Sequence, residues 1–424
     1  MPDLNDLTAA LKMVRGLSST ARPGTLWPEF QPADVPLVVW DGTQTMLFQS
    51  AAAPGADWQA APQGWTLPWR HPALVADTAV TLEGGMAAAA LLLTGLPTMT
   101  TPELAALIVH ESFHVYQFTH RPERWQANEF AVFGYPLTAP VLAARRLETL
   151  ALNAALEAAQ GWQGHAAEAL HWRTRRFSHL NAAQVELERG LERLEGLAQF
   201  IEWKVSGARP GLPLPDCAPE AVRQRCYGTG AALALLLERG GEWQGAFMNG
   251  DLSLDELLSE RLAGWTPEAT SPEQVAAAQA DASLDAEQVQ AARRQAMQDV
   301  LTRPGPRLSL ESAAPIWPQG FDPMNMSDLG GGKVLHRRYL KFGNAQVSGE
   351  ALGQAVLTQA AGEHPLEHGF SVVLLTGLTL PRLNDARLQG KAGALVFGAQ
   401  GVQLEISGPT EVQAGPEGWT VRLP

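Results

Sequence analysis

Hydrophobic and polar positions fall into three regimes along the chain. In residues 25–98 apolar residues gather in short runs. The stretch "PLVVWDGTQTMLFQ" sets two such runs around Asp41-Gly42 and predicts a β-hairpin. Residues 50–75, rich in Ala, Pro, Gly and Trp, read as irregular, and "TAVTLEGGMAAAALLLTGLP" reads as further strand turning at Gly84-Gly85. A short helix over residues 1–20 precedes them. From 138 to 301 the apolar period lengthens to three or four residues, which predicts helices over 138–160, 165–178, 181–205, 219–240, 251–263 and 272–302. After "TRPGPRL" (302–308) the pattern returns to short β-prone runs between glycines. The expected fold is α+β. A first domain over 1–301 combines a mixed sheet (25–98), a helix at 101–120 and a mainly helical second half (138–301). A β-rich domain follows over 309–424.

The helix at 101–120 stands apart. Thr100 is placed to cap it, with Glu103 completing a capping box and Pro102 in the first turn, where its missing N–H costs nothing. Leu104, Leu107, Ile108, Val109, Phe113, Val115 and Phe118 leave it no polar face, so it belongs in an interior. It carries His110, Glu111 and His114 with it, and burying those groups unpaired is costly. Residues i and i+4 share a helix face, so His110 and His114 can hold one cation. Glu111, about 100° round the helix, is badly placed as a ligand and well placed to deprotonate a water held by the ion. That is the chemistry of His-Glu-x-x-His: zinc acidifies its water and a carboxylate takes the proton.

Two histidines leave the site incomplete, and two candidates present themselves. His120 extends the spacing to that of His-Glu-x-x-His-x-x-Gly-x-x-His, but Gln117 stands where that motif turns on glycine. The other candidate lies in "ELERGLERLEGLAQFIEWKV", whose Leu187, Leu191, Leu194, Ala198, Ile201 and Val205 mark an amphipathic helix. Glu195 and Glu202 fall on the shoulder of its apolar stripe, about 20° apart. Gly196 and Ala198 leave room for another helix to approach there. Glu188 and Glu192 point further outward and read as a solvated face.

His110-Glu111-Ser112-Phe113-His114, followed by Glu195-Gly196-Leu197-Ala198, resembles the gluzincin group of zinc metallopeptidases. The resemblance implies a zincin-like metallopeptidase domain with Zn2+ held by His110, His114 and Glu195, and Glu111 as general base. It also implies a peptide or protein substrate bound along an edge strand, here "MAAAALLLTGL". Gln199 occupies the place where several relatives carry an acidic residue supporting the ligands. Tyr227 begins the next buried helix, where relatives carry a donor to the oxyanion, and Tyr116 is the alternative. A binding or scaffold protein with a structural zinc site remains the rival reading.

Composition narrows this further. A net charge of −13 disfavours nucleic acid and anionic membranes as partners. Cys217 and Cys226 are too few for a disulfide framework and read as free thiols. No apolar run has the length of a signal peptide or a membrane span, so a soluble, cytoplasmic protein is expected. His171, Arg173, Arg175, Arg176 and His179 in "HWRTRRFSH" read as a solvated basic face.

Overall fold

A computed structural model describes residues 2–20, 26–209, 211–322, 325–362, 365–378, 394–399, 401–408 and 410–424. The fold is α+β with two sheets. The chain divides into two units, Met1–Glu129 with Ala139–Ala282, and Phe130–Thr138 with Ser283–Pro424.

The first unit opens with α1 (Leu4–Thr20) and a sheet of β1 (Leu37–Trp40), β2 (Thr45–Phe48), β3 (Gln59–Ala61), β4 (Gly64–Leu67), β5 (Thr78–Thr81) and β6 (Ala87–Leu92). Its strand order is β3-β4-β2-β1-β6-β5. The β1–β2 hairpin turns at Asp41, whose Oδ1 accepts from the Thr43 and Gln44 amides at 2.7 and 2.8 Å. Residues 50–75 are not wholly irregular, because β3 and β4 form a second hairpin paired to β2. These strands are too short to show an alternation, and contact with β2 creates them. Gly64 (φ 144°) is required there, since a Cβ would lie 2.0 Å from the Leu47 carbonyl oxygen.

The alanine-rich run is the strand β6, but not the edge expected from the resemblance. It pairs parallel with β1 and antiparallel with β5, so both its sides are occupied and β5 forms the edge among the described residues. The burial of Ala88, Ala89, Ala90 and Leu91 explains this, because a run apolar on both faces suits an interior strand.

Next comes α2 (Thr101–Thr119), starting on the expected box: Glu103 accepts from the Thr100 amide at 2.7 Å, and Thr100 accepts from the Glu103 amide. Thirteen of its residues are buried. Phe113 packs edge-on against Trp27 and Phe30, at centroid distances of 5.4 and 5.2 Å, which fixes the helix from behind. The helical half follows: α3 (Ala139–Glu157), α4 (Trp162–Phe177), α5 (Ala182–Leu191), a π turn at Glu192–Gly196, α6 (Leu197–Ser206), α7 (Val222–Arg239), α8 (Gln244–Asn249) and α9 (Leu254–Arg261). The expected helix at 181–205 is thus interrupted by one wide turn, and α8 was not foreseen. No described helix is long and apolar enough to cross a membrane.

The boundary between units falls within α10 (Pro272–Leu301), whereas the compositional break lies just after it. The second unit is β-rich, as the glycine-punctuated pattern implies. It contains β7 (Arg307–Phe321), β8 (Met326–Gly330), β9 (Lys333–His336), β10 (Tyr339–Gly343), β11 (Val347–Leu352), β12 (Val356–Ala360), β13 (Phe370–Leu375), β14 (Ala394–Ala399), β15 (Val402–Ser407), β16 (Glu411–Gly415) and β17 (Gly418–Leu423). Its eleven strands run β14-β15-β11-β10-β7-β13-β12-β9-β8, with β17 added to β7 and β16 to β17. Leu308, Leu310, Phe342, Phe370, Val373 and Val421 centre its own core.

Candidate metal centre

His110 and His114 lie one turn apart on α2, and the π turn of the helix after α5 brings Glu195 to them. Glu195 Oε2 is 3.4 Å from His114 Nε2 and 3.8 Å from His110 Nε2. The three ligand atoms lie within 4.8 Å of one another, and each residue is 6% exposed. Ligands about 2.0–2.2 Å from a tetrahedral ion stand roughly 3.3–3.6 Å apart, which the 3.4 Å separation matches and the 3.8 Å separation slightly exceeds. Among the described residues, this is the group of His, Cys, Asp and Glu side chains that gathers in this way.

The outer atoms hold the rings with their Nε2 atoms facing inward. His110 Nδ1 donates to Glu202 Oε2 at 3.0 Å, and His114 Nδ1 donates to Gln117 Oε1 at 2.7 Å. The Gln117 amide is itself oriented, because its Nε2 donates to the Leu194 carbonyl at 2.9 Å and the Arg193 carbonyl at 3.3 Å. Those carbonyls belong to the π turn, a widening that is common at functional sites. A single side chain of α2 thus ties one ligand to the backbone carrying another. The acidic partner of His110 is Glu202, not a residue at position 199, and His114 has the neutral Gln117 instead. The wheel position of Glu202 beside Glu195 was the available signal.

Gly196 sets the depth of the site. A Cβ there would lie 2.6 Å from the Gly230 Cα, so α7 crosses this turn almost backbone to backbone. The expected close approach is real, and the approaching helix is α7. It delivers Tyr227, whose ring stacks with His110 (6.3 Å, 15°), and Arg223, which sequence reasoning missed. Arg223 donates to Glu195 Oε1 at 2.6 Å and to the Tyr227 hydroxyl at 2.5 Å, and pairs with Glu129 at 3.1 Å. Oε1 is therefore occupied and Oε2 is left for an ion. The one-turn spacing of Arg223 and Tyr227 was the only trace in the sequence.

The electrostatics ask for positive charge. Burial alone would lower the His110 pKa, but hydrogen bonds to Glu195 and Glu202, with Glu111 nearby, raise it to about 10. Burial acts against the Glu195 carboxylate as well, yet both histidines and Arg223 hold its pKa far below the usual range. Burial pushes the Glu111 pKa up, as befits a proton acceptor. Glu111 is 6% exposed, and its buried Oε2 has no hydrogen-bond partner. Two imidazoles and one carboxylate could hold a metal ion, with the orphaned Glu111 oxygen beside them.

Other expectations resolve differently. His120 caps α2, stacks on Tyr116 (4.4 Å, 18°) and stands outside the cluster. Tyr116 packs away from the histidines against Phe30 and Phe113. Glu188 and Glu192 are not solvated, each being 1% exposed, and Arg173 and Arg176 are buried opposite them. Arg173 grips Glu192 at 2.6 and 2.7 Å and Glu148 at 2.9 Å, while Arg176 pairs with Glu148 and Glu188. Helix packing that buries both faces overrode the polar pattern. Of the basic run only His171, Arg175 and His179 are exposed. Cys217 and Cys226 are free thiols.

Comparison of the chain with protein-family models, curated proteins and solved structures returns no match.

Proposed function

We propose that the protein is a zinc-dependent hydrolase of the gluzincin type, with a zincin-like arrangement in its first unit, and that it cleaves peptide bonds. The observation that carries this reading is Glu195 Oε2 standing 3.4 and 3.8 Å from two inward Nε2 atoms, with Glu111 unpaired beside them. When bound, the ion supplies Lewis acidity for the carbonyl and the attacking water. Glu111 takes the proton of that water and passes it to the leaving amine. Tyr227, stacked on His110 and accepting from Arg223 at its hydroxyl oxygen, donates to the oxyanion. The free edge of β5 offers backbone groups to an extended peptide beside α2.

The test pairs metal content with turnover. Purified protein is expected to hold one zinc per chain and to cleave members of a broad peptide library. Glu111→Gln keeps the metal and loses about 10²- to 10⁴-fold in kcat. Cleavage at the wild-type rate by Glu111→Gln overturns the mechanism.

A further inference from the structure

Arg223 reaches from the surface to the candidate metal centre. Its side chain is 36% exposed, whereas that of Glu195 is 7% exposed. The three nitrogens of its guanidinium serve three different groups. Nη2 donates to Glu195 Oε1 at 2.6 Å, Nη1 to the Tyr227 hydroxyl at 2.5 Å, and Nε to Glu129 Oε2 at 3.1 Å. The planar fork fixes the angles between these donors, so Glu195 and Tyr227 are fixed relative to each other. The guanidinium also lies 5.3 Å from the centre of the Tyr227 ring, which stacks on His110.

The division of the Glu195 oxygens follows from this contact. Oε2 faces His110 and His114, and Oε1 faces Arg223. Without Arg223, Oε1 loses its charged donor in a residue that is 6% exposed, and a buried acceptor deprived of its donor is costly. A cation in the centre is then the nearest replacement. A carboxylate holds an ion through one oxygen or through two. Two imidazoles and one carboxylate oxygen leave the fourth place of a tetrahedral site open; a second oxygen fills it.

We propose that Arg223 is a positioning residue with two tasks: it keeps Glu195 a one-oxygen ligand, and it holds the Tyr227 hydroxyl in a fixed place relative to that ligand. The first task rests on the metal centre alone. The second rests on the hydrolase reading.

The test uses the full chain loaded with Co2+, whose visible absorption is stronger in four-coordinate than in five-coordinate sites. At saturating Co2+, Arg223→Ala is expected to show a clearly weaker band than the unchanged chain. Guanidinium chloride, far below its denaturing range, restores the band, because the Arg223 end of the site is open to solvent; sodium chloride at equal ionic strength does not. Arg223→Met keeps the apolar stem, and is expected to give the same weak band should the alanine variant not fold. Tyr227→Phe removes no ligand and leaves the band unchanged. In peptide turnover, Tyr227→Phe is expected to cost about 10²-fold in kcat in the unchanged chain. In the Arg223→Ala background it costs less than about tenfold, because the hydroxyl is already misplaced. A full-strength band without Arg223, no restoration by guanidinium, or no binding of Co2+ overturns the first task. Equal losses from Tyr227→Phe in both backgrounds overturn the second. If the band responds as expected and no peptide is cleaved, the positioning of Glu195 stands and the hydrolase reading falls. If peptides are cleaved and the band is indifferent to Arg223, that positioning falls and the hydrolase reading stands.

Discussion

Glu192 and Glu195 occupy the same π turn, three residues apart and both buried, yet they belong to opposite kinds of cluster. Around Glu192 the accounts close: Arg173, Arg176 and Arg225 face Glu148, Glu188 and Glu192, and Thr229 adds a hydrogen bond. Around Glu195 they do not. Glu111, Glu195 and Glu202 surround two imidazoles and Arg223, and the buried Oε2 of Glu111 has no hydrogen-bond partner. The first cluster sets three arginines against three glutamates, whereas the second leaves a buried carboxylate oxygen of Glu111 unanswered. Burial of charge by itself therefore says little about function; what distinguishes a site is the group left unanswered.

The largest effect expected from this contrast comes from Glu148, which sits among three arginines. Glu148→Ala leaves buried guanidinium groups uncompensated and is expected to cost about 3–5 kcal/mol in urea unfolding. Glu195→Ala is expected to cost less stability while abolishing metal retention. If the two changes have reversed effects, the division into closed and open clusters fails.

A pH experiment sharpens the contrast between buried imidazoles. His336, fully buried in the second unit, has Thr358 at 3.1 Å and is pushed by burial down to about 4, the opposite direction to His110. Between pH 6.5 and 4 the unfolded chain binds a proton that the folded chain refuses, so stability falls as pH falls through that window. The loss approaches about 3 kcal/mol below pH 4. Unfolding of His336→Gln and of the unchanged chain, compared at pH 7 and pH 4.5, checks it; parallel losses count against the assignment.

Smaller effects probe how the turn is held. A Cβ on Gly230 would meet the Glu192 carbonyl oxygen at 2.6 Å. Gly230→Ala is expected to cost about 1–3 kcal/mol by overpacking, read as a lowered Tm, and to weaken metal binding by displacing Glu195. Gln117→Leu keeps the packing and removes the link from His114 to the π turn. It is expected to weaken metal binding about tenfold, measured by chelator competition, and to lower the Tm as well, because the buried His114 Nδ1–H loses its acceptor. Unaltered affinity would show that the link positions nothing.

Much of the first unit was legible because its signals are local. Thr100 and Glu103 start α2, Asp41-Gly42 turns a hairpin, and the spacing of His110 and His114 needs only a helix to face one point. Glu195 was legible through its glycine neighbour and its wheel position. The β3–β4 hairpin, the interior place of β6 and the burial of Glu188 were not, because partners far along the chain created each of them. Arg223 carried no pattern of its own.

The sequence alone determined which side chains share a turn of helix, since backbone hydrogen bonding imposes that period whatever the surroundings. Only the tertiary structure decided which face of each helix met which partner, and so which buried glutamates were enclosed by arginines alone and which one divided its oxygens between arginine and imidazoles. Charge compensation acts across a few ångströms of space, and the chain order holds no record of those distances.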